Sequence, residues 1–253
     1  MAEAIFLGTG GGRIVVLNQF RATGGIALFM NGMSLHIDPG PGALVRARQY
    51  GIKLGQMGGV LISHCHPDHY TDGEVVIEAM TLDKAGTGFL IASKAVIEGH
   101  DNYRPVISLY HLSKLAWHKT LSAGEYVKEG GLTITATPTR HEEPTAIGFL
   151  IEKDGKRFGY TSDTEYFSGL ERHFKAADIL VVNCLRPRGQ VWPEHMNSEG
   201  AKTLIERAKP KMAVLSHFGM KMLRGVAERE AEWIEKETGI KTIAARDGQR
   251  IEF

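Results

Sequence analysis

The stretch Gly59-Val60-Leu61-Ile62-Ser63-His64-Cys65-His66-Pro67-Asp68-His69 decides how this chain is read. A short apolar run of strand type leads into three imidazoles and one carboxylate within six residues, His64 to His69. If the strand continues to its end, alternation puts His64 and His66 on one face and Cys65 on the other, where it reads as a small buried hydrophobe. Pro67 cannot extend the ladder, so the chain must turn there and can re-aim Asp68 and His69. A lone histidine would be a solvated loop residue. Four metal-compatible side chains so close together point instead to a built metal site, and one segment could serve two ions.

Working outward, the same placement recurs. His141 follows the strand-like Leu132-Thr133-Ile134-Thr135-Ala136-Thr137, Asp163 follows Arg157-Phe158-Gly159-Tyr160-Thr161, His217 follows Met212-Ala213-Val214-Leu215-Ser216, and Asp38 follows Ser34-Leu35-His36-Ile37. Strand patterns fall near residues 3 to 7, 26 to 30, 33 to 37, 59 to 63 and 88 to 92, then near 131 to 137, 146 to 152, 156 to 161, 178 to 182, 211 to 215 and 241 to 245. Helical periodicity is clearest at 42 to 50, 72 to 80, 168 to 175, 198 to 208 and 222 to 237. Two similar halves of grouped strands with covering helices predict an α/β sandwich with ligands on loops along one edge.

Together with the opening Phe6-Leu7-Gly8-Thr9-Gly10 and the segment Tyr160-Thr161-Ser162-Asp163-Thr164, these motifs resemble the metallo-β-lactamase superfamily along nearly the whole chain. Within it they look most like the branch of the tRNA 3′-processing endonuclease ribonuclease Z and the small cyclic phosphodiesterases. The resemblance implies a four-layer αβ/βα sandwich, two mixed sheets flanked by helices, with residues 1 to 253 forming a single hydrolase domain.

It also implies the ligands. His64, His66 and His141 would hold one metal, Asp68, His69 and His217 the other, and Asp163 would bridge them, with zinc the first choice and manganese or iron the alternatives. Asp38, in the turn Asp38-Pro39-Gly40-Pro41-Gly42, is either a turn residue bonding its own backbone or, as the resemblance implies, the acceptor for a ligand histidine's free ring N–H. In the phosphodiesterase branch a histidine opening the helix before the last ligand strand protonates the leaving oxygen. His195, ahead of His217, matches it, and an imidazole with a pKa near 6.5 suits the task. The candidate catalytic residues are thus His195, Asp68 and Asp38. Arg186 and Arg188, after the strand Ile179-Leu180-Val181-Val182, are candidate phosphate clamps or loop residues that pair with Glu194.

Function follows from these assignments. The leading expectation is a dinuclear phosphodiesterase using a metal-bridging hydroxide as nucleophile, on a small-molecule or short phosphodiester substrate. The same centre could serve an acyl hydrolase, a thioesterase or lactonase, or persist as a non-catalytic scaffold. True zinc β-lactamases commonly carry a cysteine where this chain has Asp163, which weighs against antibiotic hydrolysis. Only a short hairpin-like segment joins His141 to Asp163, where ribonuclease Z carries its tRNA-gripping arm. The glycines Gly8, Gly10, Gly11 and Gly12 lack a following lysine-serine pair and a helical pattern, so they read as a turn near the metal centre.

Composition sets the frame. The chain has 253 residues, 43% of them hydrophobic, and a formal net charge of +1, so no global field draws polyanions or membranes. Two cysteines make no disulfide framework, Cys184 reads as core, and the apolar run Ala4-Ile5-Phe6-Leu7 breaks at Gly8, all consistent with a cytoplasmic protein. No membrane segment or nucleic-acid signature is expected, and a homodimer is the base-rate oligomer. The aromatic and histidine-rich segment 99 to 122 reads as packing under a loop rather than a pocket lining.

Overall fold

The computed structural model describes residues 2–253. They divide into two compact units, one of residues 2–9, 21–122 and 246–253, the other of residues 10–20 and 123–245. The first contains β1 (Ala2–Gly8), β2 (Thr23–Met30), β3 (Met33–Ile37), β4 (Gly59–Ile62), β5 (Phe89–Ala92) and β6 (Trp117–Thr120). The second contains β7 (Tyr126–Glu129), β8 (Leu132–Pro138), β9 (Ile147–Lys153), β10 (Lys156–Tyr160), β11 (Ile179–Asn183), β12 (Met212–Ser216) and β13 (Thr242–Ala244), and β14 (Arg250–Glu252) returns to the first. Each unit holds a seven-stranded mixed sheet, in the orders β14-β1-β2-β3-β4-β5-β6 and β13-β12-β11-β10-β9-β8-β7.

In the first sheet β3 to β6 run parallel, so the segments after β3 and β4 leave at the same edge. β4 is buried along its length, with Val60 and Ile62 in a cluster that includes Val76, Ile77 and Met80 of a covering helix. Burial on both faces explains its unbroken apolar run, and an apolar strand of four residues is long enough only to deliver the polar segment beyond it. β10 to β13 run parallel in the second sheet, and β8 shares their direction through the antiparallel β9. The segments carrying His141, Asp163 and His217 therefore also leave at one edge.

The helices, in chain order, are α1 (Arg13–Asn18), α2 (Ala43–Gln49), α3 (Pro67–Tyr70), α4 (Gly73–Thr81), α5 (Lys94–Ile97), α6 (Leu109–Lys114), α7 (Leu170–His173), α8 (Ser198–Ala208) and α9 (Val226–Thr238). Leu204, Ile205, Ala231 and Ile234 of α8 and α9 pack with Leu180 and Val182 of β11 into the second unit's core. Cys184 belongs to that core, and burial pushes its thiol up to about 12, while Cys65 lies in the first unit's core. No described helix is long and apolar enough to cross a membrane.

Three sequence expectations are corrected here. A helix does follow Gly12: α1 is six residues long and leaves Ile14 and Leu17 exposed, so it carries no apolar face for periodicity to register. β4 stops at Ile62, so His64 and His66 extend from a loop rather than from a strand face. In the segment 99 to 122, which contains α6 and β6, Tyr103 packs against the first unit's core and Trp117 stacks on Phe89 at 4.5 Å as expected, and the correction is confined to Tyr110, which is exposed.

The opening glycine motif has a structural anchor. Asp247 accepts hydrogen bonds from the Thr9 amide (2.9 Å), the Thr9 hydroxyl (2.7 Å) and the Ala22 amide (2.8 Å), tying the chain's end to the exit of β1.

Candidate metal centre

The first unit presents His64, His66, Asp68 and His69 just past β4. Asp38, past the neighbouring β3, stands behind them. Its Oδ1 accepts the Ser63 amide (2.7 Å), and its Oδ2 accepts both the Ser63 hydroxyl (2.7 Å) and, at 2.8 Å, the ring N–H at Nδ1 of His69. Asp38 is 3% exposed and adopts φ 50°, a left-handed conformation that aspartate, asparagine and histidine take more readily than other non-glycine residues. The carboxylate thus bonds Ser63 and His69.

This network fixes tautomers. With Nδ1 of His69 donating to Asp38, its Nε2 keeps the lone pair, 3.7 Å from Asp68 Oδ2. Ser63 gives its proton to Asp38, so its oxygen can accept Nδ1–H of His64 at 2.9 Å, leaving His64 Nε2 as the basic nitrogen. That nitrogen lies 3.1 Å from His66 Nδ1. Two imidazole nitrogens on one tetrahedral zinc, each bonded at about 2.0–2.1 Å, stand roughly 3.3 Å apart. The donor set therefore fits a divalent metal. Gly40 permits the arrangement, because a β-carbon there would lie 1.9 Å from the Asp68 carbonyl.

The second unit presents His141 after β8, Asp163 after β10, His217 after β12 and His195 just before α8. One ligand atom from each of His141, Asp163 and His195 lies within 4.8 Å of the others. Asp163 Oδ2 stands 3.3 Å from Nε2 of both His195 and His217, while its Oδ1 accepts the Asn183 side-chain amide at 2.7 Å. A buried carboxylate ringed by imidazoles is costly unless a cation or protons balance it, and the set again suits a divalent ion. Ser162 and His217 adopt φ 57° and 60°. Left-handed non-glycine residues cost about 1–3 kcal/mol each, and they gather at this strand edge.

His195 is held on both sides. Its Nδ1 lies 3.1 Å from the Pro193 carbonyl, an obligate acceptor, so the N–H sits there and Nε2 faces Asp163. His141 Nδ1 meets the Glu194 carbonyl at 3.3 Å. The α8 N-cap is Asn197, whose side chain accepts the Gly200 amide. Gly11 leaves room for His217: a β-carbon there would lie 2.3 Å from its Nδ1.

Of the two candidate clamps, Arg188 is already engaged inside the second unit. Arg188 Nε bonds the buried Glu230 carboxylate at 3.1 Å and its guanidinium covers Trp233, so its partner is Glu230 rather than Glu194. Arg186 places its guanidinium 4.7 Å over the Trp192 ring. Ser63 and Asn183 were not singled out from the sequence, and Gly11 was read only as part of a glycine turn near the metal centre. The polar-residue-at-strand-end pattern that marks the ligands would also have found Ser63 and Asn183, which follow or close apolar runs.

The profile of the beta-lactamase superfamily domain matches residues 34–218. An uncharacterised protein of Methanocaldococcus jannaschii is 40% identical over 99% of this chain and 95% of its own length. The ribonuclease Z of Mycobacterium bovis is 28% identical over 74% of this chain and 71% of its own length. Among solved structures, the metallo-beta-lactamase fold protein YhfI of Bacillus subtilis matches with a TM-score of 0.83 at 21% identity, covering 100% of this chain and 99% of that one. The chain belongs to the beta-lactamase superfamily, and its fold of two mixed sheets flanked by helices is that of the metallo-β-lactamase hydrolases.

Proposed function

We propose that this protein is a dinuclear metal-dependent phosphodiesterase acting on a small or short phosphodiester. By the family's pattern, His64, His66 and His141 would hold one ion, Asp68, His69 and His217 the other, and Asp163 both, with zinc favoured by the nitrogen-rich donors. When bound, such ions polarise a phosphoryl oxygen and lower the pKa of coordinated water to near neutrality.

The chain's own groups do the rest. Asp38 and Ser63 hold two histidines in the tautomer that leaves Nε2 basic, and Asn183 orients Asp163. His195, with its Nδ1 proton pinned on the Pro193 carbonyl, holds its exchangeable proton at Nε2 and delivers it to the departing alkoxide. That posture of His195, 3.3 Å from Asp163, is the observation that carries the phosphodiester reading, and the ribonuclease Z relative supports it. Alkoxide departure needs a proton; a thiolate's does not.

The test compares an alkyl and a p-nitrophenyl phosphodiester, beside a thioester, on metal-loaded protein. His195→Ala should lose about 10²-fold on the alkyl substrate with metal retained, and much less where p-nitrophenolate leaves unaided. Equal losses on both would remove the acid assignment, and a thioester cleaved far faster than either diester would move the activity to acyl hydrolysis.

A further inference from the structure

The sequence places an exposed tryptophan three residues before His195. Trp192-Pro193-Glu194-His195 is a tight turn in which the His195 amide donates to the Trp192 carbonyl at 3.2 Å, and Trp192 and His195 form an isolated antiparallel bridge. Residues facing each other in such a bridge project their side chains to the same face, about 5 Å apart at Cβ. Glu194 takes φ 61° at the third position, where a turn with proline second ordinarily has glycine or asparagine. That strain is kept by two contacts made to the turn's carbonyls: Pro193 accepts from His195, and Glu194 faces His141. The turn therefore fixes Trp192 and His195 relative to each other.

Trp192 is 49% exposed. Arg186 lies over its ring at 4.7 Å, and the β-bridge from Arg186 to Asn197 anchors that arginine to the residue capping α8. A half-exposed indole, backed by a guanidinium and pinned beside a proton donor, contributes little to the core it leaves. It has the form of a stacking platform, since aromatic faces held in place by arginine take planar rings without regard to their hydrogen-bond pattern.

We infer that Trp192, backed by Arg186, forms a subsite for a planar heterocycle, a nucleobase, in the group on the His195 side of the scissile bond. The inference rests on the phosphodiesterase reading for its place in the reaction, but not for the existence of the platform. A base stacked there positions the leaving ester oxygen near Nε2 of His195, so the substrate class becomes short nucleotide phosphodiesters rather than diesters in general.

Two measurements on the metal-loaded protein test it. Wild-type, Trp192→Ala and Trp192→Phe proteins are titrated with adenosine and with ribose. The platform predicts adenosine binding weakened about tenfold or more in the alanine variant and largely restored by phenylalanine, with ribose indifferent to both. Equal adenosine binding by all three proteins overturns it. The second arm measures kcat/KM for a dinucleoside monophosphate and for its two analogues lacking one base each. The base on the leaving side should give about tenfold preference in wild type, collapsing toward one in Trp192→Ala and recovering in Trp192→Phe. A preference that survives in the alanine variant contradicts the subsite. If wild type binds adenosine through Trp192 yet cleaves no phosphodiester, bis(p-nitrophenyl) phosphate included, the reaction assignment fails and the platform stands.

Discussion

Asp38 acts on two histidines with a single carboxylate, directly on His69 and through the Ser63 hydroxyl on His64. Asp38→Asn would replace an acceptor oxygen by a donor or leave the His69 N–H facing a weaker acceptor, and outer partners of this kind typically change metal affinity 10–100-fold. Competition with a chelator should show a loss in that range with the fold retained by circular dichroism; unchanged affinity would reduce Asp38 to a turn residue. Gly11 is a second single-atom constraint. Gly11→Ala inserts a β-carbon 2.3 Å from the His217 ring, so the ring or the loop must move. Activity should fall at least tenfold, since small misplacements at a catalytic constellation are costly, and full activity would show that the loop yields freely. At this scale the sequence is informative because metal chemistry restricts residue types: His, Asp and their spacing are visible without coordinates. Gly11, Ser63 and Asn183 are common residues whose roles depend on a neighbour far away in the chain.

Elements were legible where burial imposes a period. β3, β4, α8 and α9 appear in the sequence with bounds close to those observed, because each presents an apolar face or run. β6, β7 and β14 escape that signal, being short strands at or near sheet edges with most side chains partly or fully exposed. α1 escapes it as well, starting from a left-handed Gly12 with no side-chain cap. β3 also carries a buried group that pattern reading passes over. His36 is fully buried and donates from Nε2 to the Gly24 carbonyl at 2.7 Å. Burial, outweighing that bond and the attraction of Asp72 and Asp38, holds its pKa below the ordinary value. The unfolded chain therefore takes up a proton near pH 6.5 that the folded chain resists, so stability is full above that pH and declines as pH falls below it toward the folded pKa. Urea unfolding of wild type should show a loss between pH 7 and pH 5 that is smaller in His36→Gln; identical pH slopes would place the proton elsewhere.

For the molecule as a whole, the two units repeat one plan: a seven-stranded sheet with three parallel and three antiparallel pairings, helices packed against it, and candidate site residues on segments that leave strand ends at one edge of each sheet. The first unit carries His64, His66, Asp68 and His69 with Asp38 behind them, and the second carries His141, Asp163, His195 and His217 with Asn183 behind Asp163. That division was readable as an alternation of apolar runs and terminal ligands, and it places the chain in its superfamily. The substrate was not readable, because metal ligands are shared across the superfamily's chemistries and the groups proposed to choose among them, His195 and Trp192, lie in a turn whose geometry depends on left-handed backbone at Glu194. The most direct measurement is the number of divalent ions bound per chain together with bis(p-nitrophenyl) phosphate hydrolysis, for wild type and Asp163→Ala reconstituted with zinc and with manganese. The account predicts two ions and turnover in wild type, with both the second ion and turnover lost in the variant. Undiminished turnover in Asp163→Ala, or a wild type that binds no ions, would contradict it.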